Sequence, residues 1–222
     1  VTSAPHLDTT RRGYDEWAQA YRDHVAEVFD GEILDRAVID AFAELVRRSG
    51  CGTAVVDVGC GPGHVTGLLS GAGLDARGVD LSPAMVGLAR RALPELVFEV
   101  GSVLQLDLPD GAVAGVLAHY SLIHLPPADV PRAVAECARV LAAGGYVLVS
   151  FQTHDEPAVA TVPFDHRVAP AHRWSIDALA LELARAGLVE VSRMRESADD
   201  RHRFPAGHVL ARKPGGPAPA AP

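Results

Sequence analysis

Apolar and polar positions alternate between two periods along most of the chain. "AVVDV" (54–58), "ARGVD" (76–80), "LVFEV" (96–100), "AVAGVLAHY" (112–120) and "YVLVSF" (146–151) are short, β-branched, mostly apolar runs of strand length. Between them lie stretches of helical period: about Gly63 to Ser70, Ser82 to Leu93, and Asp129 to Leu141. Strands alternating with helices predict βαβ units around a parallel sheet. Ser82 is a good N-cap, Pro83 follows at the first helical position, and Gly144-Gly145 reads as a helix stop.

The pattern continues on both sides of this block. A helix is predicted from about Ser175 to Ala186, ended by Gly187, and "LVEVSRMR" and "GHVLARK" read as two closing strands able to pair antiparallel. Upstream, Tyr14 to Phe29 and Glu32 to Arg48 are helical, the second keeping Leu34, Val38, Phe42, Leu45 and Val46 on one apolar face. The predicted organisation is one domain: an N-terminal helical lid (1–50), an α/β core (51–212) and a disordered Pro/Gly/Ala tail (213–222).

Charge then narrows the classes. The net charge is −8, from 20 basic against 28 acidic residues. Basic residues cluster no further than pairs, which opposes binding to a phosphate backbone, so no nucleic-acid partner is expected. No apolar run approaches the length of a membrane span and no signal-peptide pattern opens the sequence; the expectation is a soluble, cytoplasmic protein without a membrane partner. Cys51, Cys60 and Cys137 lack metal-ligand spacing and read as free thiols, with no metal site expected.

The chemistry concentrates after the first strand, in Gly59-Cys60-Gly61-Pro62-Gly63. In a doubly wound sheet, ligands bind beside such a turn, where bare backbone permits close approach and helix N–H groups point at the ligand. The dinucleotide fingerprint fails on register, because His64 or Thr66 stands where its last glycine belongs; a phosphate loop would need a lysine that is absent. What remains is G-x-G-x-G with Asp80 at the end of the second strand. That carboxylate is placed either to accept hydrogen bonds from both hydroxyls of a ribose or to serve as a helix-start acid ahead of Ser82; the spacing favours the ribose.

"VVDVGCGPGHVT", "GVDLSPAMVGLARR", the Gly-Ser before "LQLDLPDGAV" and "LIHLPP" resemble the class I S-adenosylmethionine (SAM)-dependent methyltransferases, in particular their broad group of small-molecule enzymes. The resemblance implies a Rossmann-like, doubly wound, seven-stranded, mostly parallel sheet whose last strand is antiparallel, with SAM as cofactor and S-adenosylhomocysteine as its product. It also implies that Gly59, Cys60, Gly61 and Gly63 cradle the methionine half, Asp80 holds the ribose, and Leu81 and Met85 flank the adenine. Ser102-Val103 stands where relatives often carry an acid, leaving the Val103 N–H or the Ser102 hydroxyl to serve the adenine. Tyr14 and Tyr21 match tyrosines that approach the SAM carboxylate, although with Trp17 they also form an aromatic stripe at helical spacing that need only pack.

A small organic metabolite is the expected methyl acceptor, and oxygen the expected acceptor atom. Its wall is predicted at "AHYSLIH" and at the long connection from Gln152 to Trp174, which is long enough to be a lid and carries His154, His166 and His172. His119 is the first candidate for a general base and His154 the second, while His124 falls at a position that is usually structural. The competing reading is a SAM-binding regulatory or assembly module without turnover, and a nicotinamide oxidoreductase on a similar sheet is the weakest alternative.

Overall fold

The computed structural model describes residues 5–215, and its backbone follows the alternating pattern. Among the described residues, nine strands and six α-helices run α1 (Pro5–Val28), α2 (Ile33–Arg48), β1 (Ala54–Val58), α3 (His64–Gly71), β2 (Asp75–Asp80), α4 (Pro83–Ala92), β3 (Val97–Val100), β4 (Val113–His119), α5 (Val130–Val140), β5 (Leu141–Gln152), β6 (Thr161–Phe164), β7 (Ala171–Trp174), α6 (Ile176–Arg185), β8 (Val189–Glu196) and β9 (Ala206–Arg212). Seven strands form one sheet in the order β3-β2-β1-β4-β5-β9-β8. The first five are parallel, while β9, last in sequence, runs antiparallel between β5 and the edge strand β8. The order reverses between β1 and β4, so the sheet has its crevice there.

Both faces of this sheet are covered, and side-chain alternation assigns the partners. Val56, Val116, Val147 and Val209 enter one core with Val134 and Leu179 of α5 and α6, whereas Val55, Leu117, Leu148 and Leu210 enter another with Phe42 and Leu69 of α2 and α3. Strands buried on both faces read as nearly continuous apolar runs, which is why the core elements were visible in the sequence.

The differences lie where tertiary contacts decide. Helix α1 begins at Pro5, nine residues before the predicted Tyr14, because it docks on α4: Asp15 Oδ1 accepts from the Ser82 hydroxyl (2.6 Å) and from the Ala84 N–H (3.1 Å). Ser82 still caps α4, accepting from the Met85 N–H. Gly144-Gly145 does not stop a helix. Helix α5 ends at Val140, and the glycines lie inside β5 at a register shift, bonded to Lys213 on both sides.

The connection Gln152 to Trp174 is also not an open loop. Its middle folds into the β6–β7 hairpin, pairing Thr161 with Trp174 and Phe164 with Ala171. On α2 the buried face is Asp35, Ile39, Phe42, Ala43 and Val46, and Leu34 points outward. An acid therefore occupies a core phase of that helix. Of the tail expected to be disordered, residues 216–222 lie outside those described, while Lys213 Nζ is held by the Ala138 and Leu141 carbonyls.

Candidate functional site

Three glycines of the β1–α3 turn are required for three different reasons. Gly59 has φ +76°, and a Cβ there would lie 2.2 Å from Cβ of Ser121. Gly61 has φ +54°, and the nearest atom to a Cβ would be a Tyr21 ring carbon at 3.8 Å, an ordinary van der Waals contact, so no clash demands the glycine there. Gly63 lets α3 and α4 approach Phe98, whose ring would meet a Cβ at 2.9 Å. Of the three, Gly61 is the one that lines a cavity and where a Cβ would meet no clash, the arrangement a close-lying ligand needs.

Asp80 organises this turn from the end of β2. Its Oδ2 accepts from the Gly61 N–H and its Oδ1 from the Ser82 N–H, both at 2.8 Å. Burial raises its pKa, and the two backbone donors work against that rise. Each oxygen retains a second lone pair, so the carboxylate still has acceptor capacity for two hydroxyls. It therefore fixes the loop and remains able to bind.

Two cavities meet at the crevice. The smaller, about 100 Å³, is lined by Asp80, Leu81, Ser102 and Val103; the larger, about 760 Å³, by residues from α1, α2, the hairpin and the segment before β9. Tyr14, Tyr21, Gly59, Gly61, His119 and Tyr120 line both. Most of the residues singled out in the sequence are thus brought together. Met85 is not: it is fully buried between Ala18 and Leu88 under α1, which leaves Leu81 as the apolar side chain of that pair at the cavity. Cys60 sends its side chain into a core with Val86 and Phe98, lining the large cavity only as part of the loop. His154 is buried away from both cavities, its Nδ1 accepting from the Glu156 N–H.

The polar side chains around the junction have defined states. His124 Nδ1 lies 3.1 Å from the Pro170 carbonyl and must donate to it, so Nε2 is the acceptor for the Tyr14 hydroxyl at 2.8 Å. Burial pushes His124 down to about 4, in keeping with this neutral ring. Burial also pushes Tyr21 up to about 12 and raises Tyr14 well above its ordinary value, so both are hydroxyl donors at neutral pH. Burial takes His64, on the wall of the large cavity, down to about 3.

His119 and a group absent from the sequence-based expectations face each other here. His119 Nε2 lies 3.3 Å from Asp35 Oδ2, and the Tyr120 hydroxyl donates to Asp35 Oδ1 at 3.2 Å. Burial would raise Asp35, but His119, His208 and Tyr120 outweigh it and hold the carboxyl low. Asp35 was missed, although an acid in the apolar phase of α2 was the available signal, and Tyr120 fell within the expected wall "AHYSLIH" without being given a role. Tyr120, at φ +52°, has no sequence signature.

Comparison with known proteins agrees with this fold. Residues 55–145 match the family described as a methyltransferase domain. An uncharacterized methyltransferase of Mycobacterium bovis is 38% identical over 102 residues, 46% of this chain and 41% of the relative. The chain thus spans about two fifths of the length of such relatives. Among solved structures, a Burkholderia thailandensis 1,6-didemethyltoxoflavin N1-methyltransferase with bound S-adenosylhomocysteine superposes with a TM-score of 0.65 at 24% identity, covering 97% of this chain and 92% of that one. A Streptomyces coelicolor A3(2) geranyl diphosphate C-methyltransferase, also bound to S-adenosylhomocysteine, gives 0.73 at 14% identity, covering 96% and 100%. Among the described residues, no helix is long and apolar enough to cross a membrane.

Proposed function

We propose that this chain, whose residues 55–145 match a methyltransferase domain, is a class I SAM-dependent enzyme that transfers a methyl group to oxygen of a small organic molecule seated in the large cavity. The observation that carries the reading is the junction: the cavity that holds Asp80 opens along Gly59 and Gly61, past His119, into a chamber several times larger. One ligand bonded at Asp80 would reach the second chamber without crossing protein. The residues fit SAM because Asp80 retains acceptor capacity and the bare face of Gly61 admits close contact. When bound, SAM supplies an electrophilic methyl group on a sulfonium.

The chain's own work is then alignment and exclusion of water. Asp80 would take the ribose hydroxyls, Leu81 the adenine face, and Ser102 or the Val103 N–H its edge. Tyr14 and Tyr21 cover the junction from α1, as neutral rings in edge-to-face contact with centroids 5.6 Å apart. Asp35 Oδ2 faces His119 Nε2 at ion-pair distance, and no described residue bonds Nδ1, which leaves that atom to accept a hydrogen bond from an acceptor hydroxyl. Phe29, Phe164 and Phe204 give the large cavity apolar wall for the body of such a molecule. The fold itself does not choose between oxygen, nitrogen and carbon; the His119–Asp35 pair is what favours a hydroxyl.

Incubation with methyl-labelled SAM and a panel of hydroxyl-bearing acceptors tests this. The expected result is S-adenosylhomocysteine together with a product labelled at oxygen. SAM binding by calorimetry without turnover on any acceptor would favour a binding-only module, and absence of SAM binding would overturn the reading altogether.

A further inference from the structure

The geometry points to a divalent-cation site formed by Asp35 of α2, Glu196 at the end of β8 and His208 of β9, on the wall of the large cavity and apart from the glycine turn. One ligand atom from each of the three lies within 4.8 Å of the others. His208 Nε2 is 3.3 Å from Asp35 Oδ1. Two ligands bonded at about 2.0–2.2 Å to one ion, at tetrahedral or octahedral angles, stand about 3.0–3.5 Å apart. The observed separation is that of two ligands sharing an ion. Glu196 is the long, partly exposed arm of the set.

An independent feature supports it. His208 is 1% exposed, in the middle of a sheet strand, and its Nε2 is buried without a hydrogen-bond partner while aimed at Asp35. A buried polar atom left without a partner is costly, and its presence in a core strand calls for a ligand. The opposite ring nitrogen, Nδ1, lies 3.0 Å from the Ser150 hydroxyl, which can accept its proton and so leave the Nε2 lone pair for a metal. His119 stands on the far oxygen of Asp35 and orients the carboxylate in the same way.

Charge and donor type choose the ion. Two carboxylates and a neutral imidazole sum to about −2, which a divalent cation neutralises. Beside them Glu32 and Asp199 are paired with His202 and Arg201, so the charge left for a cation to neutralise is that of the three ligands themselves. A mixed imidazole and carboxylate set suits Zn²⁺ or Mn²⁺ better than the all-oxygen preference of Ca²⁺. Asp35 and Glu196 line the cavity, so a bound ion could take an oxygen of whatever occupies it. The site does not depend on the proposed methyl transfer, since cation uptake is read without SAM or acceptor.

Titrating the chelator-stripped full chain with Co²⁺, followed by visible absorption, and with Zn²⁺ in competition tests it. One tight equivalent is expected, weakened roughly a hundredfold or more in His208→Gln and at least tenfold in Glu196→Gln. Glu196 is partly exposed, so Glu196→Gln remains decisive where His208→Gln fails to fold. No stoichiometric uptake by the wild type, or uptake unchanged in folded Glu196→Gln, overturns the site and leaves the SAM reading untouched.

Discussion

The donor side and the acceptor side of the crevice are built in opposite ways. On the donor side, Gly59 to Asp80 are 21 positions apart and their polar groups are fixed by backbone: the Gly61 and Ser82 N–H groups occupy Asp80, and the Gly59 N–H bonds the Val79 carbonyl at 2.7 Å. On the acceptor side, α2, the end of β4, the hairpin and the ends of β8 and β9 contribute side chains from across the chain. Buried nitrogens there, such as His119 Nε2 and His208 Nε2, lack a partner of hydrogen-bonding geometry. A pre-fixed donor side lets one cofactor be held the same way whatever the acceptor. The acceptor side carries the unsatisfied polar capacity that a variable ligand uses.

Asp80→Ala should break the contrast most strongly. It removes the two backbone bonds that hold the turn and the carboxylate proposed to take the ribose hydroxyls, so SAM affinity should fall by about 3–6 kcal/mol, at least a hundredfold, by calorimetry. A dissociation constant within threefold of wild type would mean that the ribose is held elsewhere.

The glycines divide the donor side further. Gly59→Ala puts a methyl group against Ser121 and should cost about 2–4 kcal/mol in urea unfolding. Gly61→Ala meets no such wall and should cost only about 1 kcal/mol, while SAM affinity drops roughly tenfold. Equal stability losses in the two variants would contradict the clash-free Cβ position at Gly61.

Asp57, under the turn, gives a pH-dependent test. It is buried, accepts from the Thr66 hydroxyl at 2.7 Å, and burial pushes it from 3.8 to about 6. The folded state therefore holds a proton that the unfolded chain releases near pH 4. That stabilisation is fully present below pH 3.8 and is lost as pH rises through about 6. Asp57→Asn can still accept from Thr66, and it should flatten stability between pH 4 and 6 and gain about 1–3 kcal/mol at pH 7. A wild-type stability that rises across that window would contradict the assigned shift.

The smallest effect is expected at Tyr14, where the two sides touch. Tyr14→Phe leaves His124 Nε2 without its donor and should cost about 1–2 kcal/mol of stability, while SAM affinity changes less than threefold. A tenfold loss of affinity with unchanged stability would instead move the hydroxyl onto the cofactor.

What the sequence determined by itself was local. Strand runs buried on both faces, the Ser82 cap, the G-x-G-x-G turn and Asp80 are short-range patterns, and each repeats the chemistry of its own neighbours, so the donor side was legible before any coordinates. Met85 was assigned to the cofactor from that same segment, but the docking of α1 on α4 buries it, and nothing local signals a helix arriving from 67 positions earlier, where Asp15 meets Ser82. The acceptor side was decided by tertiary structure alone. Asp35 and His208 are 173 positions apart and meet only because β9 inserts next to β5 and α2 covers that face. Spacing along a chain encodes a turn, but a side-chain cluster drawn from five elements exists only after the sheet order has brought them together.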